Sequence, residues 1–195
     1  MKNISKIIAI CLFISLTAFK NDEPTGLKTG EKAPDFTAKD YKGQEVSLKK
    51  ILKKNTVVLV FYRGQWCPFC NKQLKNIQDS LTMITKKGAI VLAVSPEMNE
   101  NIAKTIQKTK ASFTVVHDEN ASIMKNYKTA YTVDAETVQK YKGYGVDFDQ
   151  VNGENKNVLP VPAVYVIGKD QMIKFSHFDP DYSKRASVAA ILKSI

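Results

Sequence analysis

Thr56-Val57-Val58-Leu59-Val60-Phe61-Tyr62 runs without a charge into Arg63-Gly64-Gln65-Trp66 and then Cys67-Pro68-Phe69-Cys70, and this passage decides the fold. An unbroken β-branched and aromatic run, with no polar alternation, is the pattern of a strand covered on both faces. The period then changes. Leu74, Ile77, Leu81 and Ile84 repeat at helical spacing, which predicts a long helix from about Cys67 to Lys86, stopped near Gly88. The cysteine pair therefore stands where a buried strand hands over to a helix.

Outward from there, Ala89–Val94 reads as a second buried strand, Asn99–Thr109 as a helix and Phe113–Val116 as a third strand. A β-α-β-α-β order requires crossover connections and a largely parallel centre, so the class is α/β. Upstream, a hairpin is expected over Phe36–Leu48 with its turn at Lys42-Gly43, then a short helix to Lys53. Downstream, Ala163–Ile167, a turn at Gly168-Lys169-Asp170, Met172–Phe175 and a helix from about Ser183 complete the pattern. Residues 126–160 interrupt it. They are rich in aromatics (Tyr127, Tyr131, Tyr141, Tyr144, Phe148), with a short helix capped by Asp134, and read as a mini-core or as a substrate or dimer surface.

The N-terminus is a separate object. Lys2 and Lys6 precede the apolar run Ile7–Ile14, and Leu16-Thr17-Ala18 closes on a small residue. Residues 1–18 thus read as a secretory signal peptide, 19–32 as a flexible leader and 33–195 as the folded domain. Export across the inner membrane, to the periplasm, is the expected destination. Cys11 leaves with the signal; a lipid anchor there is disfavoured by the bulky Ile10. The remaining thiols, Cys67 and Cys70, would meet an oxidising compartment and pair as a disulfide. So short a loop adds little folding stability, which suits chemistry better than stapling. The formal charge of +10 comes from scattered lysines without interleaved aromatics, the pattern of a solvated basic surface rather than a nucleic-acid site.

A thiolate at a helix N-terminus is favoured by free backbone N–H groups and the helix dipole. Cys70, one turn on, is within disulfide reach of Cys67. The competing readings are inert buried thiols and half a zinc site; zinc needs two more ligands, and beyond carboxylates only His117 and His177 are on offer. Of 29 basic side chains only Arg63 and Arg185 are arginine, which suggests a use for the planar, permanently charged fork. Arg63, four residues before Cys67, is a candidate stabiliser of a thiolate or peroxide; Arg185 and Trp66 are candidate substrate-binding residues, against plain salt-bridging and packing.

Four motifs carry a resemblance: Gly30-Glu31-Lys32-Ala33-Pro34-Asp35-Phe36; Phe61-Tyr62-Arg63-Gly64 with Trp66-Cys67-Pro68-Phe69-Cys70; Leu159-Pro160-Val161-Pro162-Ala163; and Asp181-Tyr182-Ser183-Lys184-Arg185. From about Gly30 to the C-terminus the chain resembles the peroxiredoxin-like branch of the alkyl hydroperoxide reductase/thiol-specific antioxidant (AhpC/TSA) family. That resemblance implies a thioredoxin fold, a central mixed, mostly parallel sheet with helices on both faces. It further implies Cys67 as attacking thiolate, Cys70 as resolving thiol and Pro162 as a cis-proline facing them. One departure stands out. The family's Pro-x-x-x-Thr-x-x-Cys places its threonine where this chain has Gly64 and its proline where it has Val60.

The expected function is a thiol-dependent antioxidant that reduces hydroperoxides through a Cys67/Cys70 cycle, without cofactor or metal and with a thioredoxin-like or membrane-linked reductant. The alternative is a periplasmic oxidoreductase acting on protein disulfides, and a third is a non-catalytic binding module.

Overall fold

The computed structural model describes residues 23–195; the expected signal peptide and Cys11 lie outside them. An antiparallel hairpin, β1 (Thr37–Lys39) and β2 (Glu45–Ser47), leads into α1 (Leu48–Leu52). Then come β3 (Thr56–Phe61), α2 (Pro68–Asp79), α3 (Leu81–Lys86), β4 (Ala89–Ser95), α4 (Asn99–Thr109) and β5 (Thr114–His117). The aromatic segment forms α5 (Ser122–Asn126), β6 (Ala130–Thr132), α6 (Ala135–Gly143), α7 (Phe148–Asn152) and β7 (Val158–Pro160). The chain closes with β8 (Ala163–Ile167), β9 (Ile173–Phe178) and α8 (Val188–Ser194).

The main sheet has the order β5-β4-β3-β8-β9, with β3 in the middle. It is mixed: β3 pairs in parallel with β4, as β4 does with β5, while β3–β8 and β8–β9 are antiparallel. Strand side chains alternate between faces, and β3 shows it directly. Val57, Leu59 and Phe61 enter one core with Leu48, Val94, Tyr127 and Tyr165. Val58, Val60 and Tyr62 enter the other with Cys67, Cys70, Leu74 and Ile77. At about 1.5–3 kcal/mol for each fully buried large aliphatic or aromatic side chain, both faces hold this strand in place. The site is therefore mounted on the most anchored element of the molecule.

Three expectations are corrected. The long helix is two, because Ser80 leaves helical geometry (φ −102°, ψ 4°) between α2 and α3; serine competes for backbone hydrogen bonds and is a weak helix former. The last helix starts at Val188, capped by the Ser187 hydroxyl, since Asp181 Oδ1 draws both Ser183 N–H (3.0 Å) and its hydroxyl (2.6 Å) into a turn. The leader is pinned rather than flexible from Gly26 onward. Gly26 N–H donates to the Lys128 carbonyl (2.9 Å), Leu27 N–H to the Tyr165 hydroxyl (3.1 Å) and Gly30 N–H to the Ile173 carbonyl (2.8 Å), with Leu27 in the core.

The aromatic segment does build a satellite core from Val133, Val146, Phe148 and Leu159. Trp66, Tyr131 and Tyr141 pack on it, which joins it to the strand–helix junction after β3.

Candidate active site

After β3 the chain turns sharply, with Cys67 N–H donating to the Gly64 carbonyl at 3.1 Å. Cys67 caps α2 with extended backbone (φ −86°, ψ 111°), and Pro68 follows in the first turn, where a missing N–H costs nothing. The Cys67 sulfur accepts from the Cys70 backbone N–H at 3.4 Å and from Arg63 Nη2 at 3.4 Å. Both cysteines are fully buried free thiols. The Cys67–Cys70 disulfide expected of an exported chain is not formed in this structure.

The two sulfurs are driven apart electrostatically. A hydrogen bond from the Cys70 thiol, then the charge and hydrogen bond of Arg63, overcome burial and hold the Cys67 thiol down at about 5. Burial and the neighbouring Cys67 push the Cys70 thiol well up. One anion is favoured at the helix start, and a second is strongly disfavoured behind it.

Both arginines come to these sulfurs. Arg63 is buried, its guanidinium between the Trp66 ring (5.1 Å) and the Tyr182 ring (4.0 Å), and its Nη1 donates to the Tyr141 hydroxyl at 3.0 Å. Burial works against its charge, but Cys67 more than compensates, and its pKa is raised. Arg185 places Nη2 3.7 Å from the Cys70 sulfur. It stands behind the resolving position, beside Cys70.

Glu97, just beyond β4, was not visible to sequence reasoning. It is fully buried, and both carboxylate oxygens accept from Gln65 N–H at 2.9 Å. Burial raises its pKa to about 8, against the pull of Gln65 N–H, Lys108 and Lys104. Its position held a signal: an acidic residue at the C-terminal end of an apolar strand parallel to β3 must emerge beside the end of β3. Glu97 also explains Gly64. A Cβ there would lie 2.7 Å from Glu97 Oε1 and press on the Trp66 indole nitrogen.

A cavity of about 460 Å³ opens above the site, lined by Arg63, Trp66, Pro68, Tyr141 and Tyr182 among others. Trp66 stacks edge-on against Tyr141 (5.0 Å) and Phe148 (5.9 Å). It lines the cavity beside the Arg63 guanidinium.

Pro162 lies buried beside the same end of β3, since Ala163 pairs with Phe61. No peptide bond among the described residues is cis, so the expected cis-proline is trans. Only two residues separate β7 from β8, Val161 N–H is tied to the Thr129 carbonyl at 2.8 Å, and trans is the favoured X–Pro form by about 0.5–1 kcal/mol. His117 and His177 lie on β5 and β9, the two opposite edges of the sheet, so they do not converge on the cysteines. Among the described residues no cluster of three His, Cys, Asp or Glu side chains is arranged to hold a metal ion.

The family model described as "AhpC/TSA family" matches residues 29–176. The chain is 34% identical over 108 residues to the chloroplastic peroxiredoxin Q of Sedum lineare, covering 55% of this chain and 58% of that protein. It is 38% identical over 155 residues to the chloroplastic peroxiredoxin Q of Arabidopsis thaliana, covering 78% of this chain and 61% of that one. The chain thus spans about three-fifths of the length of these curated relatives. Among solved structures, peroxidoxin BcpB from Mycobacterium tuberculosis superposes with a TM-score of 0.66 at 17% identity, over 86% of this chain and 94% of that one. At that identity the likeness speaks for a shared thioredoxin-like fold.

Proposed function

The chain belongs to the AhpC/TSA family, and we propose that it is a thiol-dependent peroxidase run by Cys67 and Cys70. One observation carries the reading: the Cys67 sulfur sits on a helix N-terminus with a buried arginine nitrogen 3.4 Å away. In the first step the Cys67 thiolate forms a bond to the terminal oxygen of a hydroperoxide as the O–O bond breaks. The sulfur becomes a sulfenic acid and the second oxygen leaves as alkoxide, or hydroxide from hydrogen peroxide, taking a proton from water. The Cys70 thiol then displaces water to give the Cys67–Cys70 disulfide. A dithiol reductant of thioredoxin-like or membrane-linked type returns both thiols by exchange. Cys67 has no exposed surface, and the Tyr182 ring covers the Arg63 guanidinium beside it.

The N-terminal pattern of Lys2, Lys6 and Ile7–Ile14 supports export, with the cycle working in the periplasm. Stopped-flow oxidation of the reduced, exported protein by hydrogen peroxide, an organic hydroperoxide and a small disulfide tests the function, and intact mass of the same sample reads leader removal. We expect both peroxides to outpace their reaction with a free thiolate, at rates below the ceiling of about 10⁸–10⁹ M⁻¹s⁻¹. Peroxide rates equal to those of a free thiolate, with fast reaction at the disulfide, would instead identify a thiol–disulfide oxidoreductase.

A further inference from the structure

Arg63 does not serve the sulfur alone. Its planar fork donates through Nη2 to Cys67 Sγ at 3.4 Å and through Nη1 to the Tyr141 hydroxyl at 3.0 Å. Tyr141 arrives from α6, 78 residues further along the chain, and lines the same cavity as Arg63. A hydroxyl that accepts one hydrogen bond keeps its own O–H to donate. Among the described residues no acceptor engages that proton.

We propose that Tyr141 is a catalytic residue of the peroxidase reaction, donating its O–H to the oxygen that leaves as the O–O bond breaks. The assignment rests on the peroxidase reading above. Arg63 fixes the attacking sulfur and this donor on the two nitrogens of one rigid group. A hydroperoxide whose terminal oxygen meets the sulfur carries its second oxygen one bond further on, and the proposed pose sets that oxygen on the Tyr141 side of the fork. Negative charge grows on that oxygen, and a preplaced donor there lowers the barrier. The O–H hydrogen-bonds to the alkoxide; the proton that finally neutralises it comes from water. Residue 64 cannot provide the donor, because Gly64 has no side chain and Trp66 and Glu97 occupy the space where one would begin. The segment 126–160 would then contribute a reacting group to the site as well as its own small core.

The rival role is positional. Tyr141 packs against Trp66 at 5.0 Å and Phe148 at 5.3 Å, and it buttresses Arg63. Tyr141→Phe keeps the ring and removes the donor. The wild type and this variant are compared in peroxide oxidation and in alkylation of Cys67 by iodoacetamide, which uses the same thiolate but forms no oxyanion. The proposal expects about a tenfold loss with peroxide and a change of less than about twofold in alkylation, a split of roughly 1.4 kcal/mol. An unchanged peroxide rate, or equal losses in both reactions, overturns it. A series of hydroperoxides with leaving groups of differing basicity gives a second readout that partial unfolding does not mimic. Without the donor, the rate must depend more steeply on leaving-group basicity, and an unchanged slope also overturns the assignment. Should wild type oxidise no faster than a free thiolate, the peroxidase reading fails and takes this one with it. A fast wild type matched by Tyr141→Phe removes Tyr141 alone.

Discussion

Arg63 and Arg185 each set a guanidinium nitrogen against a cysteine sulfur, at 3.4 Å and 3.7 Å, yet the thiols they face move in opposite directions. Distance to a cation differs too little to account for this. Cys67 stands at the cap of α2, where the Cys70 N–H and the Cys70 thiol both donate to its sulfur. Cys70 stands one turn inside, fully buried, and its strongest neighbour is the anion that Cys67 becomes. Two buried thiols in contact share one favourable ionisation, and backbone geometry assigns it to the outer one. Arg63 then reinforces a division that the start of the helix had already made, and Arg185 opposes it only weakly.

The sharpest way to break the comparison is to remove each sulfur in turn. Cys67→Ser should abolish turnover. Cys70→Ser should complete the first oxidation at close to the normal rate and then stop, leaving a sulfenic acid detectable by mass. In the wild type, alkylation of Cys67 should hold its plateau through neutral pH and fall to half near pH 5. Cys70 should stay unlabelled until strongly alkaline pH. If Cys70 labels first at neutral pH, the assignment is reversed. The same shift bears on stability. A thiol held below its unfolded value of about 8.5 stabilises the fold above that pH, and this contribution drains away as pH falls through 5.

A smaller effect is expected where charge is kept and shape is lost. Arg63→Lys preserves a cation but loses the planar fork whose two nitrogens meet Cys67 and Tyr141, and it cannot stack flat between Trp66 and Tyr182. We expect the peroxide rate to fall about tenfold or more, roughly 1.4 kcal/mol of transition-state stabilisation, with the Cys67 pKa rising. Unchanged values in both Arg63→Lys and Arg63→Ala would remove Arg63 from the site.

Residue type and local period made much of this legible before any coordinates. The charge-free run from Thr56 to Tyr62 holds the central strand, Thr56–Phe61, and the scarcity of arginine pointed to the two guanidinium groups that meet the sulfurs. What stayed hidden depends on long-range assembly. Glu97 looks like one surface acid among many until the parallel pairing of β3 and β4 carries it beneath Gln65. Tyr141 belongs by sequence to a separate aromatic cluster, and only the packing of α6 on Trp66 brings it to Arg63. Gly26 to Lys32 has the polar, glycine-containing composition of a loose leader, yet hydrogen bonds to Lys128, Tyr165 and Ile173 hold it in place. Composition describes a segment's own preferences and is silent about what it lies against.

The smallest expected effect belongs to Arg185, and it separates the two halves of the cycle. Its contact with Cys70 is the longer of the two, its Nη1 is shared with the Lys184 carbonyl at 2.9 Å, and the group is part-exposed, so water screens its charge. It favours the Cys70 anion only weakly, against burial and the Cys67 charge. Its influence should therefore fall on the second step, in which Cys70 must surrender a proton to attack the sulfenic acid. Arg185→Ala is expected to leave oxidation of Cys67 within about twofold of wild type. Closure of the disulfide should slow by about threefold, which corresponds to under about 1 kcal/mol and is ordinary for a screened ionic contact. Trp66, the single tryptophan, packs beside Arg63 and gives one fluorescence signal in which both phases can be followed. If Arg185→Ala slows the first phase as much as the second, the guanidinium acts on Cys67 through the pair, and the separation between the two arginines collapses. If it slows closure tenfold or more, Arg185 is as deeply involved as Arg63, and the helix start no longer accounts for the difference between the sulfurs.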